Sequence, residues 1–258
     1  MTSEQATPAL ETRGLTIRFG GHVAVNDVSC RFIPGTLTAI VGPNGAGKTT
    51  YFNLVSGQLR ASAGQVIVEG EDITGLPPSA RTRRGLGRAF QLTNLFPDLT
   101  ALENVRLAVQ SRADAGWSLL RVWNSRRDLI EKAESVLEKV CLADKRHIAP
   151  KALSHGDQRK LEVALLIAME PKVFMFDEPT AGMSIDEVPT VLELIHDIKQ
   201  RPDSTVLLVE HKMDVVRSLA DRIVVLHNGA LVADGEPTAV IASPVVQQAY
   251  LGLEAGDA

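Results

Sequence analysis

The sequence offers little for disulfide, metal or nucleic-acid chemistry. Its two cysteines, Cys30 and Cys141, stand far apart with no CxxC or Cys/His cluster, so neither a disulfide framework nor a cysteine metal site is supported. This usage fits a reducing cytosol. The formal net charge is −4 and the pI is about 5.9. Because nucleic-acid binding draws on clustered Lys and Arg, this charge balance gives no reason to expect a nucleic-acid partner.

Long apolar runs are also missing. The N-terminal stretch MTSEQATPALETR has neither a basic start nor an apolar core, so a secretory signal is not expected there. The longest uninterrupted apolar run in the second half covers residues 163–169, whereas a membrane-spanning helix needs roughly 18–20 apolar residues. We therefore expect any role at a membrane to go through a partner.

Strand-like and helix-like patterns alternate along the chain. With 258 residues, 45% hydrophobic and 22% charged, it can bury a core as one large domain or two smaller ones. The segments LTAIVG, KVFMF, STVLLV and RIVVL have helical stretches between them, which predicts a parallel sheet covered by helices. Shorter alternating patterns such as ETRGLTIRF and HVAVNDVSCRF predict an antiparallel layer. From about residue 100 to 148 the apolar spacing becomes helical, so a helical block is expected to interrupt the core.

The segment GPNGAGKTT, residues 42–50, fits G-x-x-x-x-G-K-[ST], follows the strand-like LTAIV and opens a helix. Its glycines let backbone N–H groups curl around phosphate oxygens, and the helix start adds positive potential. Lys48 is expected to reach the β- and γ-phosphates of ATP, and the Thr49 hydroxyl to ligate Mg²⁺. The alternative is a Gly-rich turn without a ligand. The predicted ATP-binding residues of the loop are Gly42, Pro43, Asn44, Gly45, Ala46, Gly47, Lys48, Thr49 and Thr50.

Polar residues also close two of the predicted core strands. KVFMFDEPT ends in Asp177, which is expected to hold Mg²⁺, and Glu178, which is placed to take a proton from the attacking water. TVLLVEH ends at His211, which could hydrogen-bond the γ-phosphate and orient that water. Such sheets bind ligands at the carboxyl ends of their strands. The alternative is that the acids are solvated turn residues and His211 is structural.

The segment LSHGDQ, residues 153–158, predicts both a helix start and a close contact. Ser154 can cap a helix with Asp157 three residues on, and an apolar run follows, as in a capping box. Gly156 lies inside the box although glycine costs about 1 kcal/mol in a helix. Such a glycine is usually kept where another group comes close to the backbone.

The order of GPNGAGKTT, GRAFQ, LSHGDQ, FMFDE and VEH resembles the nucleotide-binding subunit of ATP-binding cassette transporters, from about Leu10 to the C-terminus. The resemblance implies an α/β fold, in which a P-loop NTPase core of mostly parallel sheet and flanking helices carries an antiparallel β layer and an inserted helical subdomain. It implies one nucleotide-binding domain at residues 10–252, with the core at about 10–91 and 165–252 and the helical subdomain at about 92–164.

Specific roles follow from the same resemblance. Gln91 would sense the membrane partner, and Phe19 would stack on adenine, where many relatives have Tyr. Ser154 and Gly156, in the signature sequence, would face the γ-phosphate of ATP held by the other subunit of a dimer. The implied catalytic residues are Glu178, His211 and Gln91, and the implied Mg²⁺ ligands are Thr49, Gln91 and Asp177.

Two segments depart from the usual family pattern. His155 and Asp157 stand where the usual LSGGQ has glycine and glutamine, and AGMSID replaces the commoner SALD form. An acid near phosphate could weaken its binding, although in the first turn of a helix it also favours the helix dipole.

The segments EPTAGMS and VVQQAYLG resemble the importers of branched-chain amino acids, a branch that includes urea and amide importers. This implies an ATPase subunit peripheral to the inner membrane on its cytoplasmic side. Implied partners are integral membrane permease subunits, a second ATPase subunit (a paralogue or a second copy) in a head-to-tail dimer, and indirectly a periplasmic solute-binding protein. Leu95, Phe96 and Leu99 are either contacts of a permease helix or core residues. Competing functions are the ATPase of a lipopolysaccharide-type exporter and a soluble cassette ATPase without a transport role.

Overall fold

The computed structural model describes residues 7–89, 95–112 and 127–251. The chain divides into two compact units, which we call the core unit and the helical unit. The core unit comprises Met1–Leu86, Lys172–Glu178 and Ile198–Ala258, and the helical unit comprises Gly87–Pro171 and Pro179–Asp197. The sequence-based limits of the domain and of its helical part, about 92–164, stay a prediction.

Strands and helices alternate through most of the described residues. The strands are β1 (Leu10–Phe19), β2 (His22–Phe32), β3 (Leu37–Val41), β4 (Ala63–Val68), β5 (Glu71–Asp72), β6 (Leu86–Ala89), β7 (Val173–Asp177), β8 (Thr205–Val209), β9 (Arg222–His227) and β10 (Ala230–Gly235). The helices are α1 (Lys48–Ser56), α2 (Pro78–Arg83), α3 (Ala101–Arg112), α4 (Arg127–Lys139), α5 (His155–Met169), α6 (Val188–Lys199), α7 (Met213–Leu219), α8 (Pro237–Ile241) and α9 (Pro244–Leu251). Short 3-10 helices cover Ala143–Lys145 and Pro150–Ala152.

The main sheet has the strand order β10-β9-β3-β8-β7-β6. β3 pairs in parallel with β8 and β9, and β7 pairs in parallel with β8, whereas β10 runs antiparallel beside β9. Strands β3, β7 and β8 are buried at every position, as expected of parallel strands covered on both faces. A second, antiparallel sheet has the order β2-β1-β4-β5. These sheets confirm the predicted α/β fold with its antiparallel layer.

One large apolar cluster forms the centre of the core unit. It joins residues of both sheets to α1 and contains the fully buried rings of Phe32, Tyr51 and Phe52. Each such ring removes roughly 150–250 Å² from water, so these rings carry much of the burial energy. The Tyr51 hydroxyl shares a hydrogen bond of 2.9 Å with the Thr12 hydroxyl. That bond satisfies the polar atom which the ring takes into the core.

The helical unit is built on α3, which packs against both α4 and α5. The buried residues of α4 recur at i, i+4, i+7 and i+8, which is the apolar stripe expected of a helix that packs on one face. They are Leu129, Ala133, Val136 and Leu137. Within the described residues, no helix is both long and apolar enough to cross a membrane.

A buried arginine holds the C-terminal end of α1. Arg81 is 2% exposed, and its guanidinium donates to the carbonyl oxygens of Leu54 and Val55 in the last turn of α1, both at 2.7 Å. It also donates to the carbonyl oxygens of Thr74 at 2.6 Å and Leu76 at 3.0 Å. The last carbonyls of a helix lack intrahelical donors, and a cation there also interacts favourably with the helix dipole. Arg81 therefore anchors the helix that begins at the phosphate loop.

We expect Arg81→Met to lower the free energy of unfolding by about 3 kcal/mol, because buried carbonyls lose a charged donor while the side-chain volume is kept. Arg84→Met is the matched control, since the Arg84 side chain is 45% exposed and pairs with Glu71 at the surface. Such a surface pair contributes little to stability, because water screens both charges. Urea unfolding followed by circular dichroism measures both variants. Equal losses would contradict the role given to Arg81.

Candidate functional site

The phosphate loop connects the end of β3 to the start of α1. Gly47 forms the N-cap of α1 with a φ of 97°, a left-handed conformation that favours glycine. A Cβ at Gly47 would lie 2.5 Å from the carbonyl oxygen of Ala24, so β2 lies directly against the loop. The loop is also tied by the Gly229 N–H, which donates to the carbonyl of Ala46 at 3.0 Å. The first N–H groups of α1 are therefore held at the carboxyl end of β3, where an anion can bind.

Lys48 places a buried cation at this loop. The residue is 6% exposed, and its Nζ donates to the carbonyl oxygens of Gly42 at 2.7 Å and Pro43 at 2.9 Å. Burial lowers the pKa of Lys48, while the nearby carboxylates of Glu178 and Asp177 act in the opposite direction. The ammonium group thus lies within the electrostatic reach of both predicted acids.

The ends of β3, β8 and β7 are level with one another. Val209, the last residue of β8, pairs with Ile40 of β3 on one side and with Asp177 of β7 on the other. Asp177 is 7% exposed. Because parallel strands share one direction, the loop after β3, the acids at the end of β7 and His211 after β8 all lie at one edge of the sheet.

Glu178 has an uncommon backbone conformation. Its φ is 51°, which lies in the left-handed region that residues other than glycine rarely adopt. Its N–H donates to the carbonyl of Val209 at 2.9 Å, and its Oε1 lies 2.6 Å from Nε2 of His211. Both side chains are 41% exposed. The structure therefore brings the two residues predicted as base and water-orienting histidine into direct contact.

A cavity of about 330 Å³ opens at this edge of the sheet. Its volume falls within the range of small-molecule sites, about 300–1,000 Å³. Cavities of about 440 and 590 Å³ lie elsewhere in the core unit, but neither contains a residue of the phosphate loop. The chemistry of the wall, rather than the volume, therefore identifies the candidate site. The wall consists of His22, Ala24, Asn44, Gly45, Ala46, Gly47, Lys48, Thr49, Thr50, Glu178 and His211.

Among the described residues, six predicted residues are not in this wall, and two unpredicted residues, His22 and Ala24, are in it. The six are Phe19, Gly42, Pro43, Ser154, Gly156 and Asp177. Phe19 is 50% exposed at the end of β1. Its pairing partner across the turn is His22, which lines the cavity and was not predicted. The available signal was the Gly20-Gly21 turn, which places the next residue opposite Phe19. Gln91 lies outside the described residues, so its predicted role stays a prediction.

The signature sequence begins α5 in the helical unit. Ser154 is the N-cap, and its Oγ accepts a hydrogen bond from the Asp157 N–H at 3.1 Å, which confirms the predicted cap. Asp157 is 5% exposed, and its carboxylate accepts a hydrogen bond from Lys145 Nζ at 2.6 Å and lies 3.6 Å from Lys160 Nζ. Burial raises the pKa of Asp157, but hydrogen bonds from Lys145 and Ser154, together with the positive charges of Lys145 and Lys160, leave that pKa below its ordinary value. The negative charge of Asp157 is therefore balanced by neighbouring lysines of the same chain.

The close contact expected at Gly156 exists within the chain. A Cβ at Gly156 would lie 2.1 Å from Oε1 of Glu187, so no other residue fits there while this carboxylate stays in place. The N–H and Oγ of Ser184 donate to Oε2 of Glu187 at 3.2 and 3.0 Å. Sequence reasoning missed Glu187, because nothing local links it to a helix that begins 32 residues earlier.

The predicted docking residues differ in exposure. Phe96 is 54% exposed, whereas Leu95 and Leu99 are half-buried. Asn104, 1% exposed, accepts a hydrogen bond from the Phe96 N–H at 2.8 Å and donates to the Phe96 carbonyl at 3.1 Å. Phe96 is therefore presented to solvent on a backbone that is fixed by a buried side chain.

The chain resembles known proteins along nearly its whole length. The family described as "ABC transporter" matches residues 25–181. The chain is 38% identical to the high-affinity branched-chain amino acid transport ATP-binding protein BraF of Pseudomonas aeruginosa, over 95% of this chain and 98% of that protein. It is 36% identical, with the same coverage, to LivG of Escherichia coli, which is described in the same words. The crystal structure of a nucleotide-free ATP-binding cassette from an ABC transporter matches with a TM-score of 0.80 and 27% identity, over 94% of this chain and 98% of that chain.

We expect Lys145→Met to lower the free energy of unfolding at pH 7, because Asp157 loses its ion pair with Lys145. The loss should be only about 1 kcal/mol, because water partly screens the charge of the exposed lysine. Asp157 has a lowered pKa in the folded chain. It therefore stabilises the fold above its unfolded pKa, about 3.9, and that contribution is lost as the pH falls through the folded value. The difference in the free energy of unfolding between Lys145→Met and wild type should therefore become smaller as the pH falls through the folded pKa of Asp157.

Urea unfolding at a series of pH values measures this difference. Lys139→Met, at an exposed position of α4, controls for the loss of one positive charge. A difference that stays constant down to the lowest pH would mean that Lys145 does not act through the charge of Asp157.

Proposed function

The chain belongs to the ABC transporter family, and on that premise we propose that it powers the uptake of branched-chain amino acids. It hydrolyses ATP as the ATP-binding subunit of an importer, peripheral to the membrane and in partnership with a membrane permease. The observation that carries the proposal is the cavity that the phosphate loop, Glu178 and His211 line together. The solute is inferred from the names of BraF and LivG.

ATP would bind with its phosphates on the loop and the first turn of α1. The N–H groups of that turn and the buried Lys48 ammonium supply positive charge where the β- and γ-phosphates would lie. The exposed Thr49 hydroxyl and the Asp177 carboxylate are the oxygen donors that Mg²⁺ prefers. When bound, Mg²⁺ neutralises charge that develops on the phosphates. Gln91 is proposed as a further ligand on the family resemblance alone.

Hydrolysis would use the contact between Glu178 and His211. A water oxygen forms a bond to the γ-phosphorus while the bond from that phosphorus to the bridging oxygen breaks, and Glu178 takes the proton of the water. His211, held 2.6 Å from Glu178, orients the carboxylate and can hydrogen-bond the γ-phosphate. A positioned base of this kind contributes about 10²–10⁴-fold to the rate.

The active assembly is proposed to be a head-to-tail pair of ATPase subunits on the cytoplasmic face of the inner membrane. Ser154 and Gly156 would then face the γ-phosphate held by the partner, either a second copy or a paralogue. Since Glu187 lies against Gly156, its carboxylate would have to move for that phosphate to approach. The exposed ring of Phe96 would contact the permease, and a periplasmic binding protein would deliver the solute to that permease.

We expect Glu178→Gln to bind ATP with near wild-type affinity but to hydrolyse it at least about 100-fold more slowly, because the loop and Asp177 are kept while the base is lost. In cells that lack the gene, wild type should restore uptake of radiolabelled leucine, and Glu178→Gln should not. ATP titration, phosphate release and the uptake assay measure the three quantities.

Glu193→Gln, which makes the same change at an exposed position of α6, is the matched control and should hydrolyse ATP and support uptake normally. Hydrolysis near the wild-type rate in Glu178→Gln would contradict the role of the base. Restored uptake of urea or amides but not of leucine would contradict the proposed solute.

A mixture of two inactive variants tests the shared site. Lys48→Ala removes the cation of the loop, and Ser154→Arg puts bulk where the partner's phosphate would approach. In a mixed head-to-tail pair, one site collects both lesions and the other is intact. An equimolar mixture should therefore recover about a quarter of the wild-type ATPase rate, since half of the pairs are mixed and each has one good site.

The control mixes wild type with the double variant Lys48→Ala/Ser154→Arg. If the site is shared, every mixed pair carries one lesion in each site, and the rate should fall to about a quarter of wild type. If each signature acts within its own chain, the first mixture stays inactive and the control keeps about half of the rate. Affinity tags on the two variants establish that mixed pairs form.

A further inference from the structure

Glu210 is a buried carboxylate that none of the steps above uses. It directly follows β8, which lies between β3 and β7 in the sheet, and it is 3% exposed. Its position in the chain is between the last buried residue of the strand and His211. Charged side chains are rarely buried to this degree unless they are paired or hydrogen-bonded, so the contacts of Glu210 should explain its burial.

The carboxylate of Glu210 turns back onto the backbone that follows it. Its Oε2 accepts a hydrogen bond from the His211 N–H at 2.7 Å and a second from the Lys212 N–H at 3.2 Å. Hydrogen bonds from N–H groups to an ionised acceptor are about twice as strong as neutral ones. One oxygen atom therefore fixes two consecutive peptide units between the end of β8 and the start of α7.

These two peptide units decide where the imidazole of His211 lies. The opposite end of the same histidine contacts Glu178, with 2.6 Å between Nε2 and Oε1. Glu178 in turn is tied to the end of β8 by its N–H bond to the Val209 carbonyl, 2.9 Å. Val209 and His211, which are two residues apart in the chain, are thus both hydrogen-bonded to Glu178. Glu210 holds the backbone that joins them beyond the end of β8.

We infer that Glu210 is a positioning residue, which fixes the backbone of His211 so that the imidazole meets Glu178 at the reacting end of the nucleotide site. The inference rests on the proposed roles of Glu178 and His211. Glu210 acts through His211 and does not itself contact the nucleotide. Since displacement of a catalytic group by about 1 Å can reduce a rate by about 100-fold, loss of this support should be measurable in kcat.

Glu210→Met and Glu210→Gln form a matched pair for the test. Both keep the length of the side chain and remove its charge, but only the amide oxygen of glutamine can still accept the two N–H bonds. In full-length protein we expect Glu210→Met to lower kcat for ATP hydrolysis by about 10- to 100-fold, with KM for ATP changed by less than about twofold. Glu210→Gln should keep kcat within about threefold of wild type.

The double variant Glu210→Met/His211→Ala shows whether the effect passes through His211. It should be no slower than His211→Ala by more than about twofold in single-turnover measurements, because a positioning residue has nothing left to position. Amide hydrogen exchange gives a readout that does not depend on activity. Exchange at His211 and Lys212 should be faster in Glu210→Met than in wild type, with Glu210→Gln close to wild type.

Either of two kinetic results would overturn the inference. One is a Glu210→Met effect of the same size with and without His211, and the other is a rise in KM as large as the fall in kcat. Failure of the proposed function looks different, because His211→Ala would then hydrolyse ATP at the wild-type rate. If Glu210→Met does not fold, Glu210→Gln decides the question, since unprotected His211 and Lys212 amides in a folded Glu210→Gln protein also overturn the inference.

Discussion

The level carboxyl ends of three neighbouring parallel strands are the constraint on which the site depends. Val209 pairs with Ile40 on one side and with Asp177 on the other, and neighbouring strands lie about 4.8 Å apart. The residues that follow β3 and β7 therefore emerge about one strand spacing on either side of those that follow β8. A phosphate loop, a histidine and two acids lie at the ends of these strands, so the register of the sheet brings the residues of the site together. A shift of one residue in β8 would send the side chains of that strand to the opposite face and break the arrangement.

The buried charges at this edge and at the far end of α1 are stabilised by specific partners. Lys48 donates to two carbonyls of its own loop, Arg81 to carbonyls at the far end of the same helix, and Glu210 accepts two backbone N–H groups. A charge buried without such partners would be strongly destabilising. The consequence for function is a set of charged groups whose positions are fixed before any ligand binds, which is what stabilisation of a charged transition state requires.

The residues of the signature sequence stabilise the start of α5 within this chain, in addition to the role proposed for them at a partner's nucleotide. Ser154 caps α5 as its spacing to Asp157 predicted, and the unusual Asp157 is buried with Lys145 as its counter-charge. An acid that is paired in this way adds little negative potential at the start of the helix. Gly156 is needed for the close approach of Glu187 in this chain, which gives the glycine a role even before a partner subunit is considered.

The sequence by itself determined the buried core strands, the motifs at their ends, the helix cap at Ser154 and the family. The strands, the motifs and the cap depend on residues that are near neighbours in the chain, and the family follows from the order of the motifs. Periodicity identifies a buried strand, and spacing identifies a phosphate loop or a cap. Only the tertiary structure decided that Glu178 meets His211, that His22 rather than Phe19 lines the cavity, and that Glu187 covers Gly156. Those contacts join residues far apart in the sequence, and their geometry follows from sheet register and from the packing of whole elements. A local pattern, the Gly20-Gly21 turn, indicates only that His22 lies opposite Phe19. The rest of that information exists only once the strands and helices have been placed against one another.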